Sequence, residues 1–255
     1  MSVSFDGMNQ QAHEVWFTTT QWTVVLSAGG EQASEALETL CRRYWYPVYA
    51  FIRRKGVSAD DAQDAVQGFF LSIFQRQSLK NVSRDRGRFR SFLMGAVNHY
   101  LADEYARATA QKRGAGRRPI ELDGLDPEDR YRMEPSVTTD PAQTFDRRWA
   151  LTVLDRAVER LEQDYRDTGR GDLFDAIHPL LTSDPLSGSY AGIAARLKMS
   201  EGSVKTAVHR LRRRYREFCR EEVAQTVAEP SDVESELRYL CEILCENGGK
   251  LDVAS

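Results

Sequence analysis

Between residues 62 and 74, apolar side chains stand at Ala62, Val66, Phe69, Phe70, Ile73 and Phe74, which is i, i+4, i+7, i+8, i+11 and i+12. On a period of 3.6 residues these positions form one stripe, and on a period of two they scatter over both faces, so the segment buries its rings only as a helix. The same spacing of three and four recurs almost throughout the 255 residues, and alternating patterns are nearly absent. The chain is therefore expected to be all-α. Gly29 and Gly30 separate a short first helix, around Gln21 to Ala28, from a long one carrying Ala36, Leu40, Tyr44, Val48 and Phe51. Gly56 ends that helix and Ser58 is placed to cap the next. A polar, arginine-rich loop runs from Lys80 to Arg88. After it, a helix from about Phe89 to Ala110 turns Phe92, Leu93, Ala96, Val97, Tyr100 and Leu101 inward.

From Gly114 to Asp146 the periodicity gives way to Gly, Pro and acidic residues, which reads as a linker. Helical spacing resumes at Trp149, Val153, Leu154, Ala157, Val158 and Leu161, and a second loop lies around Ser183 to Gly188. The expected organisation is a disordered terminus at 1–15, a helical domain at 16–113, a linker at 114–146, a second helical domain at 147–222 and an acidic extension at 223–255. Within the extension Val233, Leu237, Leu240, Ile243 and Leu244 fit a short amphipathic helix. That helix either completes its own domain or covers DNA-binding surface.

No run approaches the ~20 apolar residues of a membrane span. The first residues lack the basic start and apolar stretch of a secretory signal, so a cytosolic protein without membrane contact is expected. Four widely spaced cysteines, Cys41, Cys219, Cys241 and Cys245, fit free thiols. A zinc site would need a second ligand pair beside Cys241 and Cys245, and no cofactor or metal is expected.

The net charge of −3 hides strong segregation. Residues 205–220 hold seven Lys and Arg against Glu217, and residues 76–118 hold eleven against Asp85, Asp103 and Glu104, whereas residues 221–255 carry a net charge of −7. Each basic cluster alone fits a solvated helix face, but two in one chain favour a nucleic-acid footprint.

In YAGIAARLKMSEGSVKTAVHRLRRRYREF, Ile193, Ala194 and Leu197 line the inner face of one short helix, and Val204, Val208, Leu211 and Tyr215 that of a longer one. The turn LKMS joins them, with Ser200 placed to cap the second. Such a helix-turn-helix sets its second helix in a major groove. Ser200, Glu201, Ser203, Lys205, Thr206, His209, Arg210, Arg212 and Arg213 face outward. The first of these reach base edges, and Arg212 and Arg213 suit phosphates.

This segment resembles the C-terminal domain of bacterial RNA polymerase sigma factors, in which the motif contacts the promoter's minus-thirty-five element. Gly192 stands in place of the usual acid, and Lys198 at a turn position where Gly is frequent. Response regulators carry a similar helix-turn-helix. The stretch SADDAQDAVQGFFLSIFQR, residues 58–76, is similar to the sigma helix that binds a coiled coil of the polymerase's largest subunit. Asp60, Asp61, Asp64 and Gln67 form a polar side opposite the Phe stripe, suited to a basic partner. A solvated face and a metal-holding carboxylate group are the other readings, and the second lacks a His or Glu within reach. Gln63 and Gly68 replace frequent acids, so Glu at both is expected to tighten that contact.

RGRFRSFLMGAVNHYLADEYARATAQKR, residues 86–113, resembles the extracytoplasmic-function (ECF) segment that recognises and melts the minus-ten element. The likeness carries over to Arg86, Arg88, Phe89, Arg90, Asn98, Asp103 and Arg107. Basic and aromatic residues together suit an unpaired strand, and Phe92 reads as core. The opening FTTTQWTVVLSAGG and the ending REEVAQTVAEPSDVESELRYL look like an ECF subgroup common in planctomycetes and related bacteria. The likeness implies a two-domain, non-enzymatic subunit that binds core polymerase, including the flap of its second largest subunit, and promoter DNA. It further implies a nucleoid-associated location when bound, and leaves room for a regulatory protein. The alternative is a stand-alone helix-turn-helix regulator whose N-terminal domain binds a protein or senses a signal. A nucleic-acid enzyme lacks a nucleophile, base and metal constellation.

Overall fold

The computed structural model describes residues 31–75, 88–110, 127–133, 140–182 and 189–245. All regular elements among them are helical, as the spacing predicts. The expected terminus at 1–15, the helix around Gln21 to Ala28, most of the Lys80 to Arg88 loop and the loop around Ser183 to Gly188 lie outside the described residues. The chain divides into two compact units, residues 1–149 with 224–233, and residues 150–223 with 234–255.

The first unit contains α1 (Glu31–Arg54), α2 (Ala59–Gln75), α3 (Phe89–Ala110), α4 (Pro127–Met133) and the start of α5 (Pro141–Asp167). Gly56, at φ +86°, turns the chain out of α1 in a conformation that costs other residues more. Ser58 then caps α2 as expected, its Oγ accepting the Asp61 N–H at 3.2 Å and donating to Asp61 Oδ2 at 2.7 Å. Residues 47–52 of α1 are all buried, so the helix is enclosed on every side there. Around it lies an aromatic core. The Tyr44 ring stacks on Trp149 at 4.3 Å and 7°, Phe89 lies 5.7 Å from Tyr44, and Phe145 lies 5.9 Å from both Phe51 and Trp149. Each fully buried ring contributes roughly 1.5–3 kcal/mol.

Two polar contacts corrected the sequence expectation of an unpacked linker at 114–146. In α4, Glu128 is buried and takes a two-pronged hydrogen bond from Arg53 of α1, Nε and Nη2 each at 2.9 Å, and a third from Tyr49 Oη at 2.6 Å. These donors, Arg53 first and opposed by burial, hold the Glu128 carboxyl down to about 2. The Arg53 and Arg54 guanidiniums also lie over the Tyr131 ring, at 5.1 and 5.4 Å. In α5, Asp146 is buried against Arg90 of α3 at 2.6 Å. The segment after residue 224 also belongs here: Thr226, Val227 and Ala228 are buried, and the Thr226 carbonyl accepts the Phe89 N–H at 2.8 Å.

The second unit holds the rest of α5, then α6 (Gly171–Ile177), a 3-10 turn at His178–Leu180, α7 (Ser189–Leu197), α8 (Glu201–Ala224) and α9 (Val233–Cys245). Its core comprises Leu161, Tyr165, Phe174, Ile177, Val204, Val208, Leu211 and Phe218. In α9, Leu240, Ile243 and Leu244 are buried, and Leu237 packs on that core. Of the two expectations for the amphipathic helix of the extension, packing on its own unit is the one α9 adopts. Cys41, Cys219, Cys241 and Cys245 are free thiols, and burial pushes Cys219 up to about 12.

Candidate functional site

The helix-turn-helix forms as its pattern predicts. Ala194 of α7 and Val204, Val208, Leu211 and Tyr215 of α8 are buried, with Ile193 and Leu197 packed beside them. Two backbone bonds close the end of α7: Met199 N–H donates to the Ala194 carbonyl at 2.9 Å and Lys198 N–H to that of Ala195 at 3.3 Å. This pairing demands a left-handed residue at 198, and Lys198 has φ +54°. Ser200 caps α8, its Oγ accepting the Ser203 N–H at 3.1 Å. That hydroxyl thus already has a structural task in the turn.

Glu201, Ser203, Lys205, Thr206, His209, Arg210 and Arg213 are exposed along one side of α8. Lys205 Nζ lies 5.5 Å above the Tyr190 ring, which steadies its long stem. Arg213 keeps its charge outward, with Glu217 at 3.6 Å on a well-exposed side. Arg212 departs from the expectation. Its Nε and Nη2 donate to the Leu180 carbonyl at 3.2 and 2.9 Å, so the guanidinium fastens α8 to the 3-10 turn instead of facing phosphate. Arg214 is likewise turned inward, to Asp164 at 3.2 Å and Glu217 at 3.1 Å.

On α2, Asp60, Asp61 and Asp64 are exposed, as expected of a partner-binding edge. Gln67 is not: it is 5% exposed, within five consecutive buried residues at 66–70 that exceed one helical turn and leave the helix enclosed at that level. Gly68 lies in the same run, so a Glu there would bury a charge instead of extending the acidic edge. Leu71, 36% exposed, lies two turns beyond Asp64 on the same stripe, and sequence reasoning missed it because the residue alone reads as core.

On α3 the expected strand-binding residues divide. Phe89 is fully buried and Arg90 is held by Asp146, so both serve the core, and Phe92, read as core, is half-buried. The reason is register: the first turn of α3 faces Tyr44 and Trp149. Arg88 is half-buried and Arg86 lies outside the described residues. Asn98, Asp103 and Arg107 are exposed, and Arg107 pairs with Glu104 at 2.7 Å and Asp103 at 3.9 Å. Tyr105, 74% exposed, was missed. It falls seven residues after Asn98, and that shared stripe was the signal that marks it.

Among the described residues no three His, Cys, Asp or Glu side chains gather as a metal site, and no helix is long and apolar enough to cross a membrane. No family model matches the chain and no solved structure matches it. Among curated proteins it is similar to the ECF RNA polymerase sigma factor SigE of Mycolicibacterium smegmatis, with 25% identity over 225 residues, covering 84% of this chain and 77% of that protein.

Proposed function

We propose that this protein is a sigma factor of the ECF kind. It is a dissociable subunit, without catalysis of its own, that binds core RNA polymerase in the cytoplasm and directs promoter recognition and transcription initiation. The observation that carries this reading is the extent of the likeness. The 225 aligned residues exceed the second unit, so the similarity is not a shared helix-turn-helix alone. A stand-alone regulator would need only the reading helix.

The parts take roles by their chemistry. Asp60, Asp61 and Asp64, with Leu71 beside them, offer the polymerase an acidic edge with an apolar centre. Asn98, Tyr105 and Arg107 present amide, ring and cation to the minus-ten strand, since a ring stacks on any unpaired base. Ser203, Lys205, Thr206 and His209 reach base edges of the minus-thirty-five element, and Arg210 and Arg213 hold its phosphates. The test is reconstitution: purified core polymerase with this protein should start transcription at discrete sites on genomic DNA of the source organism, on closed and pre-melted templates alike. DNA binding that neither needs nor alters polymerase would favour the stand-alone regulator.

A further inference from the structure

Residues 225–228 follow α8 directly, yet they belong to the first unit. Thr226, Val227 and Ala228 are buried there, Val227 to 2% exposure. Gln225 Oε1 accepts from Arg43 Nη1 of α1 at 3.3 Å, and the Thr226 carbonyl accepts the Phe89 N–H at 2.8 Å. The second bond has a physical cause. Phe89 opens α3, so its N–H has no acceptor within the helix, and the residue is fully buried, so water does not supply one. A segment from the far end of the chain supplies it.

The position of this segment matters if the promoter-binding reading above holds. It fastens the end of the helix proposed to read one promoter element to the start of the helix proposed to engage the other. Only Ala224 and Gln225 separate the fastened Thr226 from the body of α8, a tether of about 7 Å when extended. The two elements are named for positions twenty-five apart on the duplex, about 85 Å at 3.4 Å per base pair. A tie of that length between the two readers opposes engagement of both elements at once.

We propose that residues 225–228 are a releasable strap: seated, it keeps the free protein closed to promoter DNA, and binding of core polymerase unseats it. The anchoring is suited to release, because it rests on one small apolar side chain, one backbone bond and one long amide contact at 3.3 Å. The strap lacks the stacked rings that hold α1, α3 and α5 together.

Hydrogen exchange on the full-length protein, free and in complex with core polymerase, tests this directly. The amides of residues 224–229 and of Phe89 should exchange at least about tenfold faster in the complex, as they would for a strap closed some nine-tenths of the time in the free protein and open in the bound one. Unchanged or increased protection in a complex that forms overturns the strap and leaves the sigma reading intact, whereas failure to form a complex sinks both. A second arm uses Val227→Arg, since a charge cannot stay at that buried position. If the variant folds, it should bind core polymerase about tenfold more tightly, the cost of opening having been removed. Equal or weaker binding by the folded variant counts against the strap. If the variant fails to fold, the exchange measurement on the native protein decides alone.

Discussion

Arg90→Ala distinguishes a core residue from a DNA contact at the start of α3. The guanidinium lies 2.6 Å from Asp146, with the two side chains 6% and 7% exposed. At that separation and an effective dielectric constant of about 20, the attraction is roughly 6 kcal/mol. Desolvation offsets much of it, at several kcal/mol per ion, so the pair adds little net stability over apolar residues of the same shape. Removing one partner is a different perturbation. It leaves a buried carboxylate uncompensated and should cost about 3–5 kcal/mol. Urea unfolding followed by tryptophan fluorescence reports on the right unit, because Trp16, Trp22, Trp45 and Trp149 all fall within residues 1–149. With a slope of about 2 kcal/mol per M, the midpoint should fall by roughly 1.5–2.5 M. The double variant Arg90→Met with Asp146→Leu should recover most of that loss. A loss below about 1 kcal/mol in Arg90→Ala, together with weaker promoter binding, would refute the reasoning and return Arg90 to the DNA.

Three further outcomes follow from the geometry. Lys198→Gly should stabilise the second unit by up to about 1 kcal/mol, because the left-handed penalty of ~1–2 kcal/mol disappears while glycine's greater unfolded freedom takes back part of it; Lys198→Val should destabilise, and thermal melts check both. Arg212→Ala should cost roughly 1.5–3 kcal/mol through the lost charged bonds to the Leu180 carbonyl and leave the salt dependence of DNA binding unchanged, whereas Arg213→Ala should leave stability unchanged and lower the salt slope by about one. Glu128 has its carboxyl held down to about 2 in the folded state, below the ordinary 4.5, so its contribution is present above pH 4.5 and is lost as pH falls toward 2. In Glu128→Gln the acid limb of the stability curve between those values should flatten, as seen by acid titration of the tryptophan signal.

What the sequence disclosed is local. Gly56 and Ser58, the inner faces of α7 and α8 and the turn at Lys198 each depend on residues within a few positions, and spacing alone reveals them. The misread residues depend on distant partners. Apolar and polar residues are spread around the first turn of α3, so nothing local shows that Phe89 and Arg90 face Trp149 and Asp146 and not solvent. The seven residues of α4 carry no apolar period, and only Arg53 and Tyr49, far earlier in the chain, explain why Glu128 is buried. Arg212 and Arg213 are adjacent and chemically alike, and the Leu180 carbonyl alone separates their roles. Gln67 looks like its exposed neighbours until the run of buried residues at 66–70 is seen.

The central claim is that the acidic edge of α2 docks on core RNA polymerase, and titrating labelled protein with purified core enzyme tests it most directly. The account predicts a saturable one-to-one complex, lost in Asp60→Arg with Asp64→Arg while the melting curve is unchanged, because both side chains are exposed and support no buried contact. No complex with the native protein, or undiminished affinity in that double variant, would contradict it.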